Sequence, residues 1–305
     1  MPLKLLKSEL DNILKIERVM HARRYTLTLD RNWCKGCGLC VELCPREAIS
    51  LKEIVRPEEG RAEPPQIDID VEKCQYCGIC NAICPFGALT LNINGERKVP
   101  VIASESFPRL IRDVKVHPEK CDVKCVEYED SCPLDLIKVR VLTPDGREVK
   151  DPRAVENKSD LKVEIDIDLE HCPCCSICED KFPEGAIQVK RMIHGILRIN
   201  QELCPDDCRA CLDVCPITGA LYLEDGKVMV NERYCVYCGA CKVVCPIEGA
   251  LYLERTWINH EPVKSGAWNR AIEKIASTKA MVKFLKSKGL KRAKASVEKR
   301  FSRRL

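Results

Sequence analysis

The chain has 305 residues and a formal net charge of +4, and it contains 23 cysteines while only 5% of its residues are aromatic. This composition excludes a large conventional core, and the odd cysteine count argues against the disulfide framework of a secreted protein. No apolar run approaches the roughly 18 residues that span a bilayer, and the charged opening residues lack the apolar stretch of a signal peptide, so a cytoplasmic protein is expected.

The first predicted element is an amphipathic helix in residues 1–24. Leu6, Leu10 and Ile13 would lie on one stripe of this helix, and Leu14 could join them, at the spacing that buries one helical face. We expect the helix to cap the first domain or to lie on a partner subunit.

Runs of cysteine with the spacing C-x2-C-x2-C-x3-C-P follow, and they begin at Cys34, Cys74 and Cys235. A fourth run, which begins at Cys204, has one extra residue in its first gap. This is the spacing of bacterial-type ferredoxins, in which three thiolates bind one [4Fe–4S] cluster and the fourth binds the neighbouring cluster. The repeated pattern therefore predicts iron–sulfur chemistry along most of the chain.

Two further copies of the run lack one cysteine each. The copy that begins at Cys121 has Tyr128 in the third position, and the copy that begins at Cys172 has Phe182 in the fourth. Neither aromatic side chain can replace a thiolate ligand, but the flanking residues of both copies keep the pattern of the other four. We expect the fold to survive at these two positions.

Each of the six runs lies between two short segments in which apolar and polar residues alternate, as in half-buried strands. The repeated unit is predicted to be a strand, a cluster loop with a short helix, and a second strand. The predicted fold class is α+β, with three tandem bacterial-type two-[4Fe–4S] ferredoxin modules and helical extensions at both ends. The predicted boundaries are 1–24 for the N-terminal helix, 25–105, 106–191 and 192–260 for the modules, and 261–305 for a basic helical tail.

Crossed ligation within each module assigns 20 of the 23 cysteines to five sets of four. The sets are Cys34, Cys37, Cys40 and Cys84; Cys74, Cys77, Cys80 and Cys44; Cys172, Cys175, Cys178 and Cys132; Cys204, Cys208, Cys211 and Cys245; and Cys235, Cys238, Cys241 and Cys215. Five [4Fe–4S] clusters are therefore predicted.

Three cysteines remain unassigned: Cys121, Cys125 and Cys174. The alternative prediction is a sixth cluster held by Cys121, Cys125 and an unusual ligand. Cys174, Asp122 or a residue from another subunit could supply that ligand, because non-cysteine ligation occurs at iron–sulfur sites.

Several other chemistries lack the residues that they need. There is no G-x-G-x-x-G motif and no P-loop, and the five histidines show no ligand spacing. Zinc could occupy isolated C-x2-C pairs, but six repeats with a following proline favour clusters. The spacing from Cys204 to Cys211 also occurs in radical S-adenosylmethionine enzymes, but too few residues follow for their barrel. The chain is expected to conduct electrons without being an enzyme.

The last predicted element is strongly basic. Residues 264–305 contain 14 Lys or Arg and two acids, a net charge of +12, which leaves −8 for residues 1–263. Two helices are predicted, separated near Gly289, and the apolar face of the first consists of Trp268, Ile272, Ile275, Val282 and Leu285. We expect a docking arm for an acidic partner or for the chain's own acidic body. Membrane-surface attachment is the less favoured reading, and no module for binding nucleic acid accompanies the charge.

Residues 25–256 resemble the archaeal polyferredoxins in their six runs and flanking strands. Two stretches are similar to the polyferredoxin subunit of formylmethanofuran dehydrogenases: Cys208–Pro216, and Leu253–Thr256 with the following Pro262–Trp268. That family typically carries eight loops, whereas this chain has six, two of them altered. The resemblance implies a subunit that passes low-potential electrons to a tungsten or molybdenum subunit, which reduces CO2 to formate for attachment to methanofuran.

The expected partners are therefore the subunits of a larger redox complex, with a soluble ferredoxin or a flavin-containing protein as the electron donor. The alternative assignment is the polyferredoxin of an energy-converting membrane hydrogenase. A free electron carrier fits poorly with two terminal extensions, and an enzyme with Cys121, Cys125 and Cys174 as an open site is the remotest reading.

Overall fold

The computed structural model describes residues 4–52, 61–149 and 160–276. The strands are β1 Lys4–Leu10, β2 Ile13–Val19, β3 Arg24–Asp30, β4 Ile49–Leu51, β5 Ile67–Ile69, β6 Leu89–Ile93, β7 Glu96–Arg97, β8 Asp113–Val116, β9 Ile137–Leu142, β10 Lys162–Ile167, β11 Ile187–Lys190, β12 Ile193–Ile199, β13 Leu221–Glu224, β14 Lys227–Val230 and β15 Leu251–Ile258. The α-helices are α1 Leu39–Leu43, α2 Ile79–Ile83, α3 Pro100–Ala103, α4 Ile177–Lys181, α5 Ala210–Asp213, α6 Ala240–Val244 and α7 Gly266–Ile275. Short 3₁₀ segments span Pro118–Lys120 and Val123–Ser131.

Strand pairing divides the body of the chain into three units. In the first unit β3 pairs with β6 and β4 with β5; in the second, β8 with β11 and β9 with β10; in the third, β12 with β15 and β13 with β14. All six pairs are antiparallel, and each unit carries two cysteine runs between its strands. The predicted strands before and after each run are present, including those around the two altered runs. Five of the runs carry the predicted short α-helix, whereas the Cys121 run carries the 3₁₀ segment Val123–Ser131 in its place.

The N-terminal segment is a β-hairpin, and the predicted helix over 1–24 is wrong. β1 pairs with β2, and β2 pairs with β3, which extends the first unit into the five-stranded sheet β1-β2-β3-β6-β7. Asp11 and Asn12 form the turn with φ values of 49° and 64°, the left-handed conformation of two-residue hairpin turns. Leu14 and Ile16, two residues apart, are 1% and 0% exposed. The segment therefore shows the two-residue period of a β-strand.

Two alanine substitutions distinguish the hairpin from the helix. Ile16→Ala removes a fully buried side chain, and we expect it to lower the free energy of unfolding of the first unit by about 2–5 kcal/mol. Leu10→Ala, on the predicted helical stripe, alters a side chain that is 73% exposed and should change stability by less than about 0.5 kcal/mol. Urea denaturation under anaerobic conditions measures the stability of both variants, and hydrogen exchange in residues 13–30 shows whether the change lies in the hairpin. Equal losses in the two variants would contradict the hairpin.

The first helix of the C-terminal tail begins as predicted. The Ser265 side chain caps α7 by accepting a hydrogen bond from the Ala267 N–H at 3.2 Å. Trp268, Ile272 and Ile275 are buried in a cluster that includes Leu39 and Leu43 of α1. The predicted positions Val282 and Leu285, and the second predicted helix, lie outside the described residues.

The three units pack against one another. One apolar cluster joins Phe86 of the first unit, Ile177 of the second, and Val214 and Val236 of the third. Between the first and second units, Trp33 stacks on His171 with ring centroids 4.0 Å apart, and Arg97 donates to Glu170 at 2.9 Å. A Cβ atom at Gly87 would lie 2.6 Å from the Glu170 carbonyl oxygen. The close contact between the first and second units therefore requires a glycine at position 87.

Within the described ranges, no helix has both the length and the apolar character needed to cross a lipid bilayer.

Candidate iron–sulfur centre

Four of the cysteine loops share one backbone conformation. The residue before the second cysteine has a positive φ of 50° to 62°, and so does the residue after it, at 67° to 99°; the pairs are Gly36 and Gly38, Tyr76 and Gly78, Cys174 and Ser176, and Tyr237 and Gly239. Left-handed residues between extended ones turn successive N–H groups towards the same side of the loop. The loops are thus shaped to aim amides at sulfur.

Each altered or intact copy also turns in the same way after its proline. A residue with positive φ follows two or three positions after every one of the six prolines, and these residues are Glu47, Gly87, Asp135, Gly185, Gly219 and Gly249. The turn brings a later N–H back to the fourth cysteine. Ala48 N donates to Cys44 Sγ at 3.3 Å, Ala88 N to Cys84 Sγ at 3.3 Å, and Leu136 N to Cys132 Sγ at 3.4 Å.

Three of the five predicted sets line enclosed, apolar cavities. The Cys74 set (Cys74, Cys77, Cys80 and Cys44), the Cys172 set (Cys172, Cys175, Cys178 and Cys132) and the Cys235 set (Cys235, Cys238, Cys241 and Cys215) surround small cavities of about 30, 20 and 20 Å³. The walls are residues such as Leu27, Ile137 and Leu197 from the flanking strands. Four thiols around a cavity of repeated size fit one kind of prosthetic group.

The other two predicted sets are also brought together. In the Cys34 set (Cys34, Cys37, Cys40 and Cys84), burial raises the pKa of Cys40 well above its ordinary value, and the nearby thiols of the set raise it further. In the Cys204 set (Cys204, Cys208, Cys211 and Cys245), burial raises the pKa of Cys211 to about 12, again with contributions from its three partners. Grouped buried thiols resist ionisation until a positive charge compensates them. Iron bound to four thiolates supplies such a charge.

A single metal ion fits these thiols less well than a cluster. Among residues 4–52, 61–149 and 160–276, no three His, Cys, Asp or Glu side chains converge closely enough to hold one ion. None of the 23 cysteines forms a disulfide. The donor set of four spaced thiols, with N–H groups directed at the sulfurs, matches what a [4Fe–4S] cluster requires.

The altered loop of the second unit is filled by its own side chains. Cys121, Cys125, Tyr128 and Phe182 occupy one apolar cluster, with the Tyr128 and Phe182 ring centroids 5.5 Å apart. Cys125 is fully buried, and Phe182 is 4% exposed. Burial, followed by a hydrogen bond with Cys125, raises the pKa of Cys121 to about 12. The aromatic pair packs at the positions of the two missing ligands, which argues against a sixth cluster.

Cys174 lies with the Cys172 set and away from the altered loop. It lines the same cavity as Cys172 and is 2% exposed. A hydrogen bond from Cys174 lowers the pKa of Cys172 to about 7, whereas this bond and burial raise the pKa of Cys174 far above its ordinary value. Cys174 Sγ also lies 4.0 Å from the Cys172 carbonyl oxygen, and Cys172, at the ferredoxin spacing, remains the proposed ligand. The possibility that Cys174 completes a sixth set receives no support from its position.

Substitution of these neighbours tests the ligand assignment. We expect Cys172→Ala to lower the iron content by about four atoms per chain, because one complete cluster is lost. Cys174→Ala removes the adjacent thiol at a buried position with the same loop, and its iron content should equal that of the unmodified chain. Iron and acid-labile sulfide analysis after anaerobic purification measures both. A loss of iron in Cys174→Ala alone would reverse the two roles.

The cysteine sets lie next to one another. The raised pKa of Cys40, due first to burial, also contains a contribution from Cys80 of the Cys74 set. In the same way, burial and then Cys238 of the Cys235 set raise the pKa of Cys37. Burial also raises the pKa of Cys241, with a smaller contribution from Cys211 of the Cys204 set. The Cys34, Cys172 and Cys235 sets also meet at one apolar cluster, against which Cys37, Cys84, Cys175 and Cys215 pack.

Arginine side chains that the sequence analysis did not single out contact the cysteine loops. Arg18 donates to the Cys74 carbonyl at 2.6 Å, Arg112 to the Cys172 carbonyl at 3.1 Å, and Arg255 to the Cys238 carbonyl at 2.6 Å. Arg112 also donates to the Cys84 carbonyl at 3.1 Å. No cysteine spacing could have predicted these contacts, because their acceptors are main-chain atoms distant in sequence.

Comparisons with known proteins agree with this site. Residues 33–88 match the family model described as a 4Fe-4S dicluster domain. A segment of 112 residues, 37% of this chain, is 38% identical to the Polyferredoxin protein FwdF of Methanocaldococcus jannaschii. The match spans 31% of that relative, less than a third of its length.

A solved structure resembles almost the whole chain. It is a chain of the formate dehydrogenase, heterodisulfide reductase and formylmethanofuran dehydrogenase complex from Methanospirillum hungatei, 30% identical, with a TM-score of 0.76 over 90% of this chain and 91% of that chain. The fold and the cysteine sets define an iron–sulfur protein with multiple [4Fe–4S] clusters. Within that class, the chain belongs to the polyferredoxins, and it resembles the polyferredoxin subunit of formylmethanofuran dehydrogenases.

Proposed function

We propose that the chain is the electron-transfer subunit of a formylmethanofuran dehydrogenase complex, with five [4Fe–4S] clusters in three tandem ferredoxin modules. The observation that carries this proposal is the likeness over 90% of the chain to a component of such a complex. The five complete sets of cysteines, three of them around cavities of similar volume, support the cluster number. The three strand-pairing units support the module number.

The chain is proposed to bind its clusters through five ligand sets: Cys34, Cys37, Cys40 and Cys84; Cys74, Cys77, Cys80 and Cys44; Cys172, Cys175, Cys178 and Cys132; Cys204, Cys208, Cys211 and Cys245; and Cys235, Cys238, Cys241 and Cys215. A bound [4Fe–4S] cluster supplies one-electron chemistry at low potential. The protein supplies thiolates that hold the iron, N–H groups that stabilise negative charge on sulfur, and apolar walls that exclude water. Together these contacts determine the reduction potential of each site.

The Cys34 set occupies the junction of the proposed path. It adjoins the Cys74 set through Cys40 and the Cys235 set through Cys37. Arg112 joins its fourth cysteine, Cys84, to Cys172 of the second unit. The Cys34 set is therefore proposed to exchange electrons with the Cys74, Cys235 and Cys172 sets.

The proposed acceptor is the tungsten- or molybdenum-dependent subunit that reduces CO2, and the proposed donor is a soluble ferredoxin or a flavin-containing protein. The chain itself is proposed to be non-catalytic, because all five sets have four thiolates and leave no open ligand position for a substrate. The basic tail 261–305 is proposed as a docking arm; its first helix, α7, packs against the chain's own core, and residues 277–305 lie outside the described residues.

Purification from the native source tests this assignment. The chain would be tagged, isolated anaerobically with its partners, and the partners identified by mass spectrometry. We expect tungsten or molybdenum subunits together with a subunit resembling amidohydrolases. Recovery with hydrogenase and membrane subunits instead would overturn the assignment to a CO2-reducing complex.

A further inference from the structure

We propose that Arg112 and Arg255 are positioning residues at the two places where an electron crosses between units. Each would hold the cysteine loops of neighbouring units in register and place a fixed positive charge beside the sets on that path. The proposal rests on the proposed electron-transfer function. It does not depend on which complex receives the electrons.

Arg112 joins the first and second units through main-chain carbonyls. Its Nε donates to the Cys172 carbonyl at 3.1 Å, and its Nη2 donates to the carbonyls of Cys84 at 3.1 Å and Pro85 at 3.3 Å. The planar guanidinium fixes the angle between these donors. The Arg112 side chain therefore fixes the position of Cys84, a ligand of the Cys34 set, relative to Cys172, a ligand of the Cys172 set.

Arg255 has the corresponding place between the third unit and the first. Its side chain is 7% exposed, and it donates to the carbonyls of Tyr237 at 2.8 Å, Cys238 at 2.6 Å and Ile275 at 3.3 Å. Its Nη1 lies 3.9 Å from a carboxylate oxygen of Glu42 in α1. This buried arginine thus contacts a cysteine loop of the third unit, the end of α7, and the helix of the Cys34 loop.

The crossing between the first and third units brings two cysteine loops together. Cys37 of the Cys34 set packs against the apolar cluster that contains Cys238 of the Cys235 set. A Cβ atom at Gly239 would meet Arg255 Nη2 at 2.8 Å and the Cys37 carbonyl at 3.6 Å. The glycine therefore allows the arginine and the opposite loop to come together.

A guanidinium at a crossing also acts through its charge. Arg112 donates to the Cys84 carbonyl at 3.1 Å and Arg255 to the Cys238 carbonyl at 2.6 Å, so each guanidinium lies beside a proposed cluster ligand. A reduced cluster carries one more negative charge than an oxidised one, so a nearby fixed cation stabilises the reduced form. Both arginines are therefore expected to raise the reduction potentials of the sets beside them.

Arg18 provides a matched control within the first unit. It donates to the Cys74 carbonyl at 2.6 Å and lies 5.2 Å from the centre of the Tyr76 ring. The contact resembles those of Arg112 and Arg255, but both partners belong to the sheet and loops of one unit. Its removal should alter one set without affecting a crossing.

The test compares glutamine and lysine variants of each arginine in the full chain, with Arg18→Gln as the control. Redox titration followed by EPR gives the potentials, and spin–spin interaction between reduced clusters reports the geometry of a crossing. We expect Arg112→Gln to shift the potentials of the Cys34 and Cys172 sets downward and to weaken their mutual spin coupling. Arg255→Gln should do the same for the Cys34 and Cys235 sets. Arg18→Gln should shift only the Cys74 set.

The lysine variants separate charge from position. Lysine keeps the positive charge but cannot span two carbonyl groups with a rigid fork. Arg112→Lys should therefore have the reduction potentials of the unmodified chain but the weakened spin coupling of Arg112→Gln. Iron content is measured in every variant, and Arg112→Lys is the comparison if Arg112→Gln loses a cluster. Unchanged potentials and coupling in both Arg112 variants, at full iron content, would overturn the inference while leaving the proposed function intact. Isolation with other partners would overturn the function and leave these measurements unaffected.

Discussion

A chain in which Tyr128 and Phe182 are both replaced by cysteine is expected to bind a sixth [4Fe–4S] cluster. The existing Cys121 and Cys125 already occupy the first and second positions of the altered loop. The spacing from Cys121 to Tyr128 equals the spacing from Cys204 to Cys211 in an intact run. With the two new thiols, the loop therefore matches a loop that we propose to hold a cluster.

The structural reason for this gain is the way in which the altered site is filled. The Tyr128 and Phe182 rings, 5.5 Å apart, pack beside Cys125 and the apolar side chains of Ile137 and Ile187. Removing both rings opens space at the two ligand positions themselves. We expect iron to rise from about 20 to about 24 atoms per chain, with a matching rise in acid-labile sulfide.

The control for the sixth site replaces Tyr128 and Phe182 by serine, which removes the same rings without adding thiols. Its iron content should stay near 20 atoms per chain. Its second unit should lose stability, on the order of 3–5 kcal/mol for the buried phenylalanine alone. An unmodified chain that already contains about 24 iron atoms would contradict the assignment of this site as filled by side chains.

The second large effect is expected at the junction of the path. Replacing Cys37 and Cys84 by alanine removes two ligands of the Cys34 set, and iron should fall to about 16 atoms per chain. Because this set adjoins three others, electron exchange between the first unit and the other two should slow. Rapid freezing after a pulse of reductant, followed by EPR, shows whether electrons redistribute or stay where they were added.

A variant with the same iron loss in another set controls for the missing cluster. Cys208 and Cys245 belong to the Cys204 set, which is coupled to the others through Cys211 and Cys241. Their replacement by alanine should leave exchange among the first, second and third units intact. If both double variants exchange electrons equally fast, the Cys34 set is not the junction.

The repeated part of the fold could be predicted from the sequence because every unit carries the same local information. Alternating residues marked each strand, and the proline after the fourth cysteine marked each turn, as at Cys44 and Cys84. The crossed ligand sets followed from the spacing of the cysteines together with the crossed ligation of two-cluster ferredoxins. The structure brings the members of each predicted set together.

The N-terminal hairpin could not be predicted with the same certainty because its leucines fit two periods. Leu6, Leu10 and Ile13 follow a helical spacing, while Leu14 and Ile16 follow that of a strand. The outcome depended on pairing with β3, which offers seven residues of register. The Asp11 and Asn12 turn was the local signal that favoured a hairpin.

The contacts between units were also beyond prediction from one sequence. Arg112 and Cys172 are 60 residues apart, and the acceptor is a carbonyl oxygen that any residue could provide. For Tyr128 and Phe182, the sequence indicated lost ligands, but only the packing revealed that the rings contact each other. Long-range contacts to main-chain atoms leave no pattern of residue types.

Coulometric reduction of the anaerobically purified chain, with iron analysis on the same sample, tests the central claim most directly. Each [4Fe–4S] cluster accepts one electron, so the account predicts an uptake of about five electrons and about 20 iron atoms per chain. An uptake of about six electrons with about 24 iron atoms would show that the altered loop binds a cluster. A chain that takes up no electrons would contradict the proposed function itself.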